Sequence, residues 1–167
     1  NDITLGNSSS SLTNTGNVTL AVNNSGATTI ASTVALSDTA TNRTLTVNGT
    51  GNVTVSGNVT DGSSSGSNLT YSGNGNIILS GANTYSGTTT IGSGTMQIGA
   101  GGTTGTLGAG GVTNNGDLVV NRSDAYAVTN LIGGTGNLVQ AGSGTLALSA
   151  ASTYTGTTTV RAGTLQL

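Results

Sequence analysis

Along this chain, short stretches of alternating apolar and polar residues recur, and each opens on a glycine. Gly16-Asn17-Val18-Thr19-Leu20, Gly51-Asn52-Val53-Thr54-Val55 and Gly75-Asn76-Ile77-Ile78-Leu79 are the first three. Gly94-Thr95-Met96-Gln97-Ile98, Gly116-Asp117-Leu118-Val119-Val120, Gly144-Thr145-Leu146-Ala147-Leu148 and Gly163-Thr164-Leu165-Gln166-Leu167 follow. Alternation at period two sends side chains to opposite faces of an extended backbone, so each unit predicts a half-buried strand. The leading glycine suits a turn with positive φ or a close backbone approach. On these grounds Gly75, Gly87, Gly94, Gly144, Gly156 and Gly163 are the expected turn positions of the repeat.

Spacing selects among β architectures. Neighbouring units lie roughly 20–35 residues apart, commonly near 20–24, the range of a solenoid coil. Residues 76–98 have room for three short strands, Asn76–Ser80, Thr88–Gly92 and Thr95–Ile98, read as one coil. A hairpin-based sandwich or barrel needs turn signals about every 8–12 residues, and this is the alternative the chain comes nearest to. Helix is excluded: there is no apolar period of 3.6, and the good helix formers Lys and Glu are absent. The expected fold is therefore all-β, a right-handed parallel β-helix of roughly six to eight coils with short strands, on the order of 30–40 Å long at about 4.8 Å per coil. Residues 1–167 are read as a single repeat domain.

In that fold the expected core is a stack of Val53, Val55, Leu79, Ile91, Met96, Ile98, Leu118, Val120, Leu146, Leu148, Val160 and Leu165. Thr88, Thr90, Thr157 and Thr159 are expected on the exterior, where β-branched residues suit a strand face. The absence of proline agrees with strands that donate nearly every N–H to a neighbouring coil.

A longer self-similarity overlies the short unit. GNIILSGANTYSGTTTIGSGTMQI (75–98) and GTLALSAASTYTGTTTVRAGTLQL (144–167) align without a gap. The matches include Tyr85 with Tyr154 and Gln97 with Gln166, residue types too scarce here to coincide by chance. Matched positions make Tyr85 and Tyr154 structural anchors at a turn. Tyr71 and Tyr126 have no such pairing and read as ordinary surface or loop residues.

These residues, LSGANTYSGTTTIGSGTMQIG (Leu79–Gly99) and the copy LSAASTYTGTTTVRAGTLQL (Leu148–Leu167), resemble the passenger-associated transport repeat of autotransporter proteins, also called the autotransporter-associated β-strand repeat. Similarity is clear over 75–98 and 144–167 and weaker over 43–74 and 99–143. Residues 1–42 match only in texture. The resemblance implies export through the outer membrane, a β-helical stalk, and display outside the bacterial cell at its surface. It also implies that this chain, without a membrane-embedded barrel, is a segment of a longer passenger or a fibre subunit.

Composition narrows the chemistry. Charged residues make up 5% of the chain and aromatics 2%, and there is no Cys, His, Trp or Phe. Gly, Ser, Thr and Asn together supply about 60%. Such a chain can be disordered, but disorder normally brings high net charge, and the net charge here is −2. With only Arg43, Arg122 and Arg161 basic, no nucleic-acid footprint exists. No stretch approaches the roughly 18 apolar residues of a membrane span.

Catalysis lacks raw material, since His, Cys, Lys and Glu are all missing. Asp117 and Asp124 could be imagined as the acid/base pair of a polysaccharide-cleaving site, but beside Asn and Ser they read as solvating loop residues. Gly133-Gly134-Thr135-Gly136-Asn137 is followed by Leu138, where a calcium-binding nonapeptide needs Asp. No catalytic, cofactor or metal residues are therefore assigned. Asn-x-Ser/Thr triplets at Asn17, Asn52, Asn58 and Asn68 read as stacked amide ladders in turns. The expected function is structural, a stalk or fibre segment providing length and display, with a glycan- or surface-binding adhesin module as the alternative. Uncapped strands at Asp2–Leu5 and Gly163–Leu167 predict continuation into a longer chain or self-association, head to tail, into filaments.

Overall fold

The period-two units become strands that pair with their copies one coil away. This is seen in a computed structural model, which describes residues 2–167. The first coil holds β1 (Ile3–Leu5), β2 (Ser11–Thr13) and β3 (Val18–Ala21); the second holds β4 (Ala27–Ile30), β5 (Thr33–Ser37) and β6 (Thr44–Asn48). The third holds β7 (Asn52–Val55), β8 (Val59–Gly62) and β9 (Asn68–Tyr71). The fourth and fifth have two strands each, β10 (Asn76–Leu79) with β11 (Thr89–Ile91), and β12 (Thr95–Ile98) with β13 (Val112–Asn114). Next come β14 (Asp117–Val120), β15 (Ala125–Val128) and β16 (Ile132–Gly133), then β17 (Asn137–Gln140) and β18 (Thr145–Leu148), then β19 (Thr158–Val160) and β20 (Thr164–Gln166).

All pairings are parallel, and they define three faces. Face one is an eight-stranded sheet, β1-β4-β7-β10-β12-β14-β17-β19. Face three has six strands, β3-β6-β9-β11-β13-β16. Face two is split into β2-β5-β8 and β15-β18-β20. The chain is an all-β parallel solenoid of about seven turns, which at about 4.8 Å per strand spacing gives a rod of about 34 Å. On face one the successive partners Ile3, Thr28, Val53, Ile77, Met96, Leu118, Leu138 and Thr158 lie 25, 25, 24, 19, 22, 20 and 20 residues apart. Coils shorten from the fourth onward, where face two first loses its strand, and stay short after face two resumes with β15.

Strand parity builds the core. On face one Ile30, Val55, Leu79, Ile98 and Val120 stack in register, beside a second column of Val53, Ile77, Met96, Leu118 and Leu138. Every one of these ten is at most 4% exposed. Ile91 and Leu146 are likewise buried. Three expected core residues stand elsewhere. Val160 is 48% exposed, and Leu148 and Leu165 are half-buried at the edge of the core. Each of the three has a strand partner on one side only: Val160 pairs with Gln140, Leu148 with Val128 and Leu165 with Leu146. Burial in a solenoid needs a coil above and a coil below, which parity alone does not report.

The three strands expected within 76–98 are present, the first two with slightly shorter limits and the third as expected, but they do not make one coil. β10 lies on face one, β11 on face three, and β12 on face one of the next coil. In the second copy, β18 lies on face two, β19 on face one and β20 on face two. The same motif is thus turned by one face between its copies.

Glycine has two separate reasons here. Gly94 and Gly163 hold φ of 65° and 66°, in the left-handed region. Gly75, Gly87, Gly144 and Gly156 do not; each is pressed against a carbonyl of the preceding coil. A Cβ on Gly75 would run into the Gly51 carbonyl, on Gly144 into that of Asp124, and on Gly156 into that of Gly136. Gly51, Gly75, Gly94, Gly116, Gly136 and Gly156 form one such column beside face one.

Asparagines do form ladders, but not amide on amide. The side-chain oxygens of Asn17, Asn23, Asn52, Asn58, Asn68, Asn115 and Asn137 accept the backbone N–H of Thr44, Thr50, Asn76, Ala82, Thr88, Thr135 and Thr157, at 2.8–3.2 Å. Each donor sits 20–27 residues on, in the next coil. The N–H rows at the corners point along the rod, and an Asn oxygen reaches them where strand pairing stops.

Candidate functional site

Arg122, Asp124, Tyr126 and Tyr85 collect where face two is interrupted. The segment 99–111 crosses that gap without a strand, using Gly99, Gly101 and Gly105 at φ of 81°, 91° and 99°. It is held from both sides. From the coil before, Asn83 Nδ2 donates to the Thr106 carbonyl at 2.7 Å, and the Asn83 N–H donates to Thr106 Oγ1 at 2.7 Å. From the coil after, Asn130 Nδ2 donates to the carbonyls of Gly108 and Gly110 at 2.8 and 2.6 Å.

Arg122 is the centre of this arrangement. Its Nη1 donates to the Gly105 carbonyl at 2.5 Å and its Nη2 to the Thr103 carbonyl at 2.6 Å. Nε and Nη2 grip the two oxygens of Asp124 at 2.9 and 2.8 Å, and the guanidinium lies 4.6 Å from the centre of the Tyr126 ring. Arg122 is 8% exposed. A planar fork that meets a carboxylate and two carbonyls at once is a geometry only Arg supplies. Tyr126 Oη in turn accepts the Leu107 N–H at 3.0 Å.

Two readings of the sequence change here. Asp124 is not a free solvating carboxylate: the hydrogen bonds and charge of Arg122 hold its pKa below the ordinary carboxylate range. Tyr126 is not a loose surface residue, and burial raises its phenol above the usual value. Tyr71 also departs from expectation: it is a core residue of β9, 1% exposed, with its hydroxyl unpartnered. Its place was written in Leu69-Thr70-Tyr71, where parity turns it inward with Leu69.

Asp117 opens β14 and its Oδ1 accepts Asn137 Nδ2 at 2.8 Å, so it too ties one coil to the next. The structure engages Asp117 and Asp124 separately, each with its own partner, rather than as a facing pair. Asp61 accepts the Ser86 N–H and hydroxyl, the latter at 2.7 Å, linking the third coil to the fourth where the first half of face two ends. Among the described residues no three acidic side chains gather as a metal site, and no helix is long and apolar enough to cross a membrane.

The matched tyrosines behave alike. Tyr85 Oη and Thr89 Oγ1 share a hydrogen bond of 2.7 Å, and Tyr154 Oη and Thr158 Oγ1 one of 2.6 Å. Tyr85 is fully buried beneath Gly108, whereas Tyr154 packs against the rim of the core. Thr88, Thr157 and Thr159 are exposed and Thr90 half-buried. Sequence reasoning missed Gln140, which stands in the face-one column between Val120 and Val160 at 1% exposure. Its Nε2 donates to the carbonyls of Gly142 and Gly144 at 2.9 and 3.0 Å. A polar residue at an inward parity was the signal available.

Arg122→Ala should release segment 99–111 while leaving face one intact. Losing hydrogen bonds from a charged donor costs about 3 kcal/mol, read as faster hydrogen exchange confined to 99–111. Arg122→Lys should recover little of it. The Asp124 contact has a pH signature: a depressed carboxylate contributes above its unfolded pKa and loses its contribution as pH falls through the folded value. Protection of 99–111 should thus decline in acid below the ordinary carboxylate range, and Asp124→Asn should remove that dependence.

Comparison with known proteins agrees with this architecture. The passenger-associated-transport-repeat model matches residues 69–98 and 138–167, six residues further upstream at each copy than the self-similarity. Over 105 residues, 62% of this chain, the sequence is 38% identical to the adhesin BmaC autotransporter of Brucella suis biovar 1 (strain 1330). The chain spans about 3% of that relative's length. No solved structure matches. Residues 69–98 and 138–167 carry the passenger-associated-transport repeat, and the chain that holds them is a parallel β-solenoid similar over 62% of its length to an autotransporter.

Proposed function

We propose that this segment is structural: a stalk or fibre portion of a bacterial surface protein that sets length and holds other parts away from the cell. The observation that carries this reading is where its few strong polar groups are used. Arg122, Asp117 and Asp61 bind other coils of the same rod, and Asp124 holds the Arg122 guanidinium from within its own coil. Recognition surfaces concentrate exposed Tyr, Trp and Arg, and three of the four tyrosines here pack into the solenoid or its corners. The match to an autotransporter relative supports secretion and surface display outside the cell.

Stacking is the means of lengthening. β1 to β3 and β19 to β20 present strand edges, with Ile3, Val160 and Leu167 exposed at 44%, 48% and 94%. Coils that cover them, from a longer chain or by self-association of a second copy, extend the rod. Electron microscopy and light scattering of the isolated chain test the second route: filaments of rod width support it, and a monodisperse monomer at high concentration ends it. A binding role, as an adhesin module for a glycan or surface partner, is the second reading, favoured by the name of the relative. Coated beads carrying this segment alone should not adhere to host cells or glycan arrays under the stalk reading.

We propose further that the chain is not an enzyme and holds no metal or cofactor, a reading supported by the absence of His, Cys, Lys and Glu from its sequence. Purified protein should give no turnover on pectin-like, chitin-like or alginate-like polymers. Turnover that vanished in Asp117→Asn or Asp124→Asn would overturn this.

A further inference from the structure

Three Asn-Gly pairs punctuate the chain: Asn48-Gly49, Asn74-Gly75 and Asn115-Gly116. A glycine after asparagine leaves its backbone nitrogen unobstructed and its backbone free to bend, so that nitrogen can reach the asparagine Cγ. The structure treats the three pairs differently. Asn115 Oδ1 accepts both the N–H and the hydroxyl of Thr135, at 3.1 and 3.3 Å, which turns its amide toward the next coil. Asn48 ends β6, is paired in register with Ala21, and its carbonyl accepts the Val22 N–H at 2.8 Å. Asn74 is exposed, in the bend between β9 and β10. Among the described residues its side chain takes no hydrogen bond, and neither does the Gly75 N–H.

We propose that Asn74 is a site of spontaneous covalent modification, converting to aspartate and isoaspartate as the protein ages. The Gly75 nitrogen bonds to Asn74 Cγ and gives up its proton; the Cγ–Nδ2 bond breaks, and Nδ2 leaves as ammonia with that proton. Water then opens the five-membered imide at one carbonyl or the other. Opening at the Cα side leaves the main chain running through the side-chain carbon, one atom longer. No electrons change hands.

The position gives the change its effect. Gly75 sits in the glycine column with no room over the Gly51 carbonyl, and its own carbonyl accepts the Thr95 N–H at 3.3 Å. A longer main chain at residue 74 displaces Gly75 from that stack at the joint between the third and fourth coils. The first half of face two ends with the third coil, so strand pairing across this joint is confined to faces one and three. A negative charge is added to a chain of net charge −2.

The experiment holds the native chain and the denatured chain in warm, mildly alkaline buffer and locates amide loss by fragmentation mass spectrometry. In the native chain, loss at Asn74 should outrun loss at Asn48 and Asn115 by roughly tenfold or more, an effect of about 1.4 kcal/mol in barrier. In denaturant the three should proceed at comparable rates. An isoaspartyl methyl-acceptance assay on aged native protein should lose most of its signal in Asn74→Ser. Equal rates in the native chain, no amide loss at Asn74, or an undiminished signal in Asn74→Ser would each overturn the proposal.

Discussion

Leu69→Asp is expected to remove about 4 kcal/mol of stability, whereas Thr70→Asp, one residue along the same strand, should change it by less than about 1 kcal/mol. Leu69 is 1% exposed and pairs in register with Leu45 below and Thr89 above. A carboxyl there has no partner, so it is held neutral or forces the coil apart, and the apolar contacts of Leu69 are lost as well. Thr70 points to the other side of the sheet, between Thr46 and Thr90. A loss near 4 kcal/mol is a large share of the 5–15 kcal/mol available to an ordinary domain. Denaturant unfolding of both variants measures the contrast, and equal midpoints would mean that the register of face three is wrong.

The second large effect concerns a residue without a side chain. Gly136→Ala should cost about 3 kcal/mol, the scale of overpacking in a core that cannot relax. Its Cβ would run into the Gly116 carbonyl and stand 2.7 Å from Asn114 Oδ1 and 2.8 Å from the Gly116 nitrogen. These are mostly main-chain atoms of the coil below, so relief requires two coils to separate. Gly102→Ala is the control. Nothing lies within 4 Å of a Cβ there and φ is not positive, so lower unfolded-state entropy should stabilise it by about 0.5 kcal/mol. Thermal unfolding of the two variants should move in opposite directions.

The solenoid was legible because it rests on local patterns repeated along the chain. Parity placed Val55, Leu79, Ile98 and Val120 on one side of their strands, and repetition of the pattern implied the stack. What depends on neighbouring coils was not legible. Val160 has the same parity as Gln140 and Val120, but its exposure depends on stacking from both sides. Arg122 gave no signal, because its partners are carbonyls of Thr103 and Gly105 in a segment with no pattern of its own. The asparagines were read as turn residues, but their actual partners, backbone N–H groups a full coil away, are set by coil length. The coil boundary itself was misplaced within 76–98, since three consecutive strands do not announce which of them begins a new turn.

The rotation of the repeat by one face gives the rod a compass. Thr90 in the first copy looks out from face three, while its counterpart Thr159, 69 residues later, looks out from face one. Duplicating a stretch of this gene therefore need not add a whole number of turns. A gain that is out of phase by a third of a turn still finds a sheet to join, because each face accepts the same strand. Growth by such increments would wind identical surface chemistry around the shaft as a staircase, so that one inherited motif comes to face several directions without a change in its sequence.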